Sequence, residues 1–343
     1  MMKYRRRPIN FTRRIVQIIS FVLIIYGGLL ASSWGIQPQT VPWLSTIKPP
    51  EDVNQEDQDS LLQEPAYYGQ VFDTYTPVKS CRFARKTGMF RACFLQFLSE
   101  SLTWRSSLRV VLPHLLIFLA LAILLGRFWC GWLCPLGFIS DMLGSTGSVC
   151  GAPRVPLSVS VRGYLKVFGY VLLATILIIS FVISLPGIPW KWTKDLHISG
   201  CQMCPSRFIF PYITGYPMIQ ITYYSPRLIT FFVIAIIFTI VFALSVIFRR
   251  IWCRFCPSGT LLSFFNQGGA LTKEKQASKC TRCGACQIAC PLDSEEVYLE
   301  KASKVVNHPD CLHCYRCIDT CPEDDCLEAK FFGFRLFKSK FKE

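Results

Sequence analysis

Histidine is scarce. Only 4 of 343 residues are His, and of these only His114 falls inside an apolar run, so a haem held by two axial histidines at bilayer depth is not expected within this chain. Acid is short as well: 22 Asp and Glu stand against 37 Lys and Arg, a formal net charge of +15. The basic residues flank apolar runs instead of forming one stripe with interleaved aromatics, which argues against a nucleic-acid partner. Nothing resembles an effector domain, so a redox-sensing regulator has no support.

What the chain has is apolar length. Hydrophobic residues make up 51% and aromatics 14%, which points to a membrane protein. Four runs stand out: Ile15 to Trp34, Val110 to Leu125, Val167 to Leu185 and Leu228 to Phe248. A hydrocarbon core of about 30 Å needs roughly twenty such residues per helix. The spans are read as 15–36, 109–129, 164–185 and 228–249, with Arg109 and Arg127 of the short second one reaching toward headgroups. Lys3, Arg5, Arg6, Arg7, Arg13 and Arg14 precede the first span with no acid among them. Positive loops stay inside, so residues 1–14 are expected in the cytoplasm. The first run also fits a secretory leader, with Ala31-Ser-Ser as its cleavage site, but the later runs mark an integral protein regardless.

The segments between follow from this threading. Residues 37–108 and 186–227 form extracytoplasmic loops, the first carrying an interfacial helix near Phe90 to Leu98 and the second rich in Trp and Tyr. Residues 130–163 form a cytoplasmic loop, and 250–277 end in a polar linker. Residues 278–330 form a cysteine-rich domain and 331–343 a basic, aromatic tail. Both termini lie on the cytoplasmic side of the inner membrane.

Eighteen cysteines supply the chemistry. Cys280-Thr-Arg-Cys283-Gly-Ala-Cys286 is followed by Cys290-Pro291, and Cys311-Leu-His-Cys314-Tyr-Arg-Cys317 by Cys321-Pro322. Three thiolates spaced in this way surround one cluster while the fourth, before proline, reaches the other. The expected sets are therefore crossed: Cys280, Cys283, Cys286 and Cys321 for one [4Fe-4S] cluster, Cys311, Cys314, Cys317 and Cys290 for the second. Zinc sites and disulfides do not predict this doubled pattern.

An internal repeat accounts for most of the remainder. Arg127-Phe-Trp-Cys130-Gly-Trp-Leu-Cys134-Pro135 follows the second run, and Arg250-Ile-Trp-Cys253-Arg-Phe-Cys256-Pro257 follows the fourth. Each half also carries outer-loop cysteines: Cys81 and Cys93 in the first, Cys201 and Cys204 in the second. Cys130, Cys134, Cys253 and Cys256 are thus candidates for an inner-face cluster. Thiol, zinc and copper roles stay open for them. Cys81, Cys93, Cys201 and Cys204 are candidates for an outer-face cluster, with disulfides as the alternative. Cys150 and Cys326 read as plain buried thiols. His114 is read as satisfied within the helix bundle, with quinone contact as the rival, while His308 and His313 are expected at the surface.

These motifs resemble the membrane polyferredoxins of the NapH, NosR and CcoG group, over roughly Arg109 to Ala329. The second membrane motif departs from that group in having two residues between its cysteines, and no flavin-binding domain fits the outer loop. The resemblance implies electron transfer between a cytoplasmic donor or quinol and an extracytoplasmic cytochrome, flavoprotein or reductase in a membrane complex, with quinol dehydrogenase activity as one form of it. It also leaves room for assembly of an extracytoplasmic metalloenzyme by reduction of a metal or thiol. The expected cofactors are two [4Fe-4S] clusters, one or two more in the membrane part, and quinone. The expected fold is membrane all-α, four transmembrane helices in two half-repeats, with a C-terminal α+β bacterial-type two-cluster ferredoxin domain.

Overall fold

Apolar length sets the first level of structure. The computed structural model describes residues 8–35, 93–103, 108–188, 196, 199–202, 204–214 and 227–340. Helix α1 (Pro8–Ser33) begins on a proline, whose fixed φ and missing N–H suit a first helical turn. A short α2 (Phe94–Thr103) precedes α3 (Leu108–Leu125). Helix α3 stops where Gly126 takes φ +51°, and α4 (Phe128–Trp132) and α5 (Pro135–Val149) follow. Then come α6 (Val159–Val182), α7 (Ser199–Gln202), α8 (Ser206–Ile213) and α9 (Arg227–Leu244). Three helices, the Pro8–Ala31 stretch of α1, α3 and α6, are long and apolar enough to cross a membrane. The fourth expected span coincides with the 18-residue α9.

The chain divides into two compact units. One comprises Met1–Ser20, Ala120–Tyr170 and Val241–Glu343, the other Phe21–Leu119 and Val171–Ile240. In the first unit α9 is followed by α10 (Ile251–Phe255) and α11 (Pro257–Ser263). Next come β1 (Leu271–Lys275), α12 (Ala285–Ala289), α13 (Glu296–Leu299), β2 (Lys304–Val305), α14 (Arg316–Thr320), β3 (Leu327–Phe331) and β4 (Phe334–Lys338). The strands form one antiparallel sheet in the order β2-β1-β3-β4. Leu271 pairs with Phe331 and Lys275 with Leu327.

Two sequence expectations change here. The polar linker contains β1, and the basic tail contains β4, so the ferredoxin-like sheet runs from Leu271 to Lys338. Composition hid β1 because two of its inward residues are lysines. Lys275 Nζ is held by the carbonyls of Val297 at 2.8 Å and Glu300 at 2.6 Å, which offsets the cost of burying an ammonium. Phe337 of β4 lies over Trp132, with ring centroids 6.3 Å apart. Trp132, Tyr315, Ile318, Leu327 and Ala329 share one core with Ile9 of α1. Burying a side chain the size of Trp132 is worth about 4–6 kcal/mol as an upper estimate.

In the second unit α2 departs from expectation too. It is buried, not interfacial: Phe94, Leu95, Gln96, Phe97, Ser99 and Glu100 are all enclosed, and Gln96 Nε2 donates to Glu100 Oε1 at 2.9 Å. Phe97 stacks on the ring of His114 at 4.6 Å, and His114 Nδ1 lies 3.0 Å from the Val110 carbonyl. The outer faces of the long helices are apolar, with Ile15, Ile18, Leu116, Val167, Val171 and Phe181 exposed. Exposed apolar side chains along long helices suit lipid contact.

Candidate metal centres

The two cysteine runs fold into matching loops. In each, the residue before the second cysteine and the residue after it have positive φ: Arg282 at 54° and Gly284 at 73° in the first, His313 at 45° and Tyr315 at 54° in the second. Alternation of this sort turns successive backbone N–H groups toward one point and makes an anion-binding nest. Three non-glycine residues in this region imply conformational cost at a functional site. The third cysteine of each run, Cys286 or Cys317, then sits in a five-residue helix, α12 or α14. The fourth, Cys290 or Cys321, ends that helix in extended backbone, with ψ of 125° and 126°, as a residue before proline must.

Helices α12 and α14 pack together. Cys286, Cys290, Cys311, Cys314 and Cys317 line a single pocket. Burial pushes the Cys290 thiol up to about 11, and proximity to Cys314 and Cys311 adds to the shift. Cys317 is pushed up to about 12, first by burial, then by Cys314, Cys311 and Cys290, against the lowering effect of Lys273. In the other set, burial raises the Cys286 thiol and Cys321 and Cys280 add to it. Burial likewise raises Cys321, with Cys283 as a neighbour. Crowded, buried thiols resist deprotonation until a cation compensates them. Lys273 supplies part of that charge: its ammonium lies 3.4 Å from Cys311 Sγ.

The inner-face motifs show the same economy. Proline starts a helix in each. Cys134 and Cys256 sit at the breaks between α4 and α5 and between α10 and α11, with Pro135 and Pro257 as first helical residues. Cys253 is pushed up to about 12 by burial, opposed by Arg250, with Cys134, Cys256 and Cys130 all contributing. Cys130, Cys134 and Cys256 therefore all lie near Cys253. The half-repeats also brace each other: Arg250 Nη1 donates to the Cys130 carbonyl at 2.8 Å, and Arg127 Nη2 donates to the Cys253 carbonyl at 2.9 Å. Gly137 and Gly259 leave room for this exchange, since a Cβ on Gly137 would lie 2.9 Å from the Cys130 oxygen and one on Gly259 would lie 3.0 Å from Arg127 Nη2.

This inner site adjoins the second cysteine loop. A Cβ on Gly131 would lie 2.2 Å from the Leu312 carbonyl oxygen, and Trp132 Nε1 donates to the His313 carbonyl at 2.9 Å. Asn266 is the hub. Its Nδ2 donates to the carbonyls of His308, Pro309 and Cys311 at 2.8, 3.0 and 2.8 Å. Its Oδ1 accepts the Arg127 backbone N–H at 3.1 Å and lies 2.9 Å from His313 Nε2. The carbonyl contacts fix the amide orientation, which places the His313 proton on Nε2. Contrary to the surface expectation, His313 is 2% exposed; burial, then Lys273 and Arg127, push it down to about 3, so it is neutral.

Of the outer candidates, Cys81 and the loop residue His197 lie outside the described residues. Cys93 immediately precedes α2, which packs against α7, the helix containing Cys201. Cys204 Sγ lies 3.3 Å from Ser206 Oγ. No disulfide joins the described cysteines. Cys150 is exposed instead of buried, whereas Cys326 is buried as expected. Among the described residues no three of His, Cys, Asp or Glu are gathered tightly enough for one metal ion. Thiolates of a [4Fe-4S] cluster bind separate irons and need not converge on a point. The residues therefore fit such a cluster: four thiols per set, backbone nests and a buried cation.

Comparison with known proteins agrees. A family model described as a 4Fe-4S binding domain matches residues 112–149 and 230–274, the two half-repeats, and a 4Fe-4S dicluster domain model matches residues 272–322. The putative electron transport protein YccM of Escherichia coli is 24% identical over 220 residues, 61% of this chain and 52% of YccM. The ferredoxin-type protein NapH of the same organism is 26% identical over 207 residues, 58% of this chain and 60% of NapH. The regulatory protein NosR of Stutzerimonas stutzeri is 26% identical over 229 residues, 65% of this chain and 28% of NosR. The chain thus spans from about a quarter to three fifths of these relatives. No solved structure matches it. With iron-sulfur domain models matched in both its apolar and C-terminal parts, and with these relatives, the chain is similar to polyferredoxins of the NapH/NosR type.

Proposed function

We propose that this protein is a multi-pass electron carrier of the cytoplasmic membrane, passing electrons between a cytoplasmic donor or quinol and an extracytoplasmic redox partner. The observation that carries the reading is the packing of the inner cysteine motifs against the second cysteine loop through Gly131, Trp132 and Asn266. Clusters bound at these sites supply one-electron carriers whose potentials answer to burial and hydrogen bonding. The protein's part is to hold the donors rigidly and to exclude water. Asn266 ties the loop backbone of Cys311 to the start of α4, and the Arg127 and Arg250 braces fix Cys253 and Cys130 relative to each other.

The ligand sets are those named from sequence: Cys280, Cys283, Cys286 and Cys321; Cys311, Cys314, Cys317 and Cys290; Cys130, Cys134, Cys253 and Cys256 at the inner face; and Cys81, Cys93, Cys201 and Cys204 outside. Four spans with both termini in the cytoplasm are supported by the basic residues that flank the apolar runs, from Lys3 to Arg14 before the first and Arg249 and Arg250 at the end of the fourth.

Proteoliposomes loaded with a membrane-impermeant acceptor test the function. Reduction of the enclosed acceptor by external dithionite in wild type, and its loss in Cys314→Ser, is the expected result. Equal transfer by the variant, or none by the wild type with all clusters present, rejects the proposal.

A further inference from the structure

Beside the inner motifs, within the first unit, lies a cleft of about 140 Å³ that the electron-transfer reading does not use. Arg14, Arg154, Arg249 and Arg316 line it, with Ser140 and Asp141 on α5. Charge there is unbalanced. Asp141 is already taken by the fully buried Arg13 at 2.8 Å and Arg250 at 2.6 Å, and by Arg316 at 3.3 Å. Asp319, the other acid of the cleft, accepts the Asn10 backbone N–H at 3.1 Å. Six guanidinium groups thus meet two carboxylates. Two polar groups also wait for a partner: the Ser140 hydroxyl, on a residue 1% exposed, and the buried Nε of Arg316.

We propose that this cleft binds a phosphate group, recognised by the arginines at its rim and by Ser140 and Arg316 at its floor. Arginine forks suit phosphate oxygens, and a tetrahedral anion accepts from several directions at once. A hydroxyl and a guanidinium N–H are donors it can use. Because Arg14 belongs to a helix with an exposed apolar face, an anionic phospholipid headgroup is one source of that phosphate. Free inorganic phosphate is the other.

The test is thermal unfolding of the purified, cluster-loaded full chain in detergent, titrated separately with inorganic phosphate, phosphatidylglycerol and phosphatidylcholine. Inorganic phosphate or phosphatidylglycerol should raise the midpoint, and zwitterionic phosphatidylcholine should not. The active probe identifies the source. Arg154→Gln and Arg249→Gln, neither of which holds Asp141, should each weaken the apparent affinity by about tenfold. Ser140→Ala should weaken it while leaving the ligand-free midpoint and the visible iron-sulfur absorption unchanged. If neither anionic probe shifts the midpoint, if phosphatidylcholine acts equally, or if the variants respond as wild type, the proposal is wrong.

Discussion

Asp141→Asn removes one charge and almost no volume, yet it should be among the most damaging single changes in the first unit. The wild-type carboxylate accepts from Arg13 Nη1 at 2.8 Å, Arg250 Nε at 3.0 Å and Nη2 at 2.6 Å, Arg316 Nη2 at 3.3 Å and Gln17 Nε2 at 3.2 Å. Arg13 and Arg250 are both 0% exposed. Removing one partner of a buried ion pair costs roughly 3–5 kcal/mol because the remaining charge stays desolvated. With two buried guanidinium groups stranded, the upper end applies. For a folding unit of this size that corresponds to a fall of roughly 10–20 °C in the unfolding midpoint. The change also loosens Arg250 from the Cys130 carbonyl, so iron should be released at lower temperature. The pH dependence follows from the surrounding arginines. Desolvation alone would raise the Asp141 carboxyl, but Arg250, Arg316 and Arg13 outweigh it and hold the group well below the ordinary carboxylate range. A depressed folded-state value stabilises above the unfolded value of about 3.9. The gap between wild type and Asp141→Asn should therefore stay constant from neutral pH down to about 4 and shrink only below it. Thermal scans across that range make the comparison. A midpoint within about 2 °C of wild type at pH 7 would refute the claim that this carboxylate holds the arginines together.

Other changes should be as readable. Gly131→Ala puts a Cβ 2.2 Å from the Leu312 oxygen; the backbone must shift, at a cost of about 3 kcal/mol, and the protein should lose iron from the second cysteine loop on purification. Asn266→Ala strands the carbonyls of His308 and Cys311 and the Arg127 N–H, destabilising by roughly 3–5 kcal/mol in denaturant unfolding. Phe337→Ala uncovers Trp132 and should lower stability by about 3 kcal/mol while exposing the indole to fluorescence quenchers.

Spacing made the metal chemistry legible. The doubled cysteine runs specify their loops and the helix ends at Cys290 and Cys321, because proline fixes the direction in which these residues leave their helices; the exchange of fourth ligands is the proposal drawn from the same spacing. The half-repeat was equally visible in Arg127 to Pro135 and Arg250 to Pro257. What pattern cannot reveal is a partner far away in sequence. Lys273 and Lys275 read as linker because nothing local shows the thiol and carbonyls that receive their ammoniums. Asp141 looks like an ordinary polar residue of a small helix until α1, α14 and the chain after α9 bring four arginines to it. Asn266 carries no motif, and its partners Arg127, His308, Pro309, Cys311 and His313 all lie far from it in sequence. Phe334 to Lys338 passed for a tail because an edge strand with exposed residues has little alternation to detect.

Iron and acid-labile sulfide per chain, measured on anaerobically purified protein, address the central claim most directly. Two ferredoxin-type clusters give about eight irons, and an inner-face cluster raises the total to about twelve, with any outer cluster adding to it. Cys253→Ser should remove about four irons and leave the remainder in place. An identical count in wild type and Cys253→Ser would contradict the inner cluster, and a wild-type count below about eight would contradict the ferredoxin sites themselves.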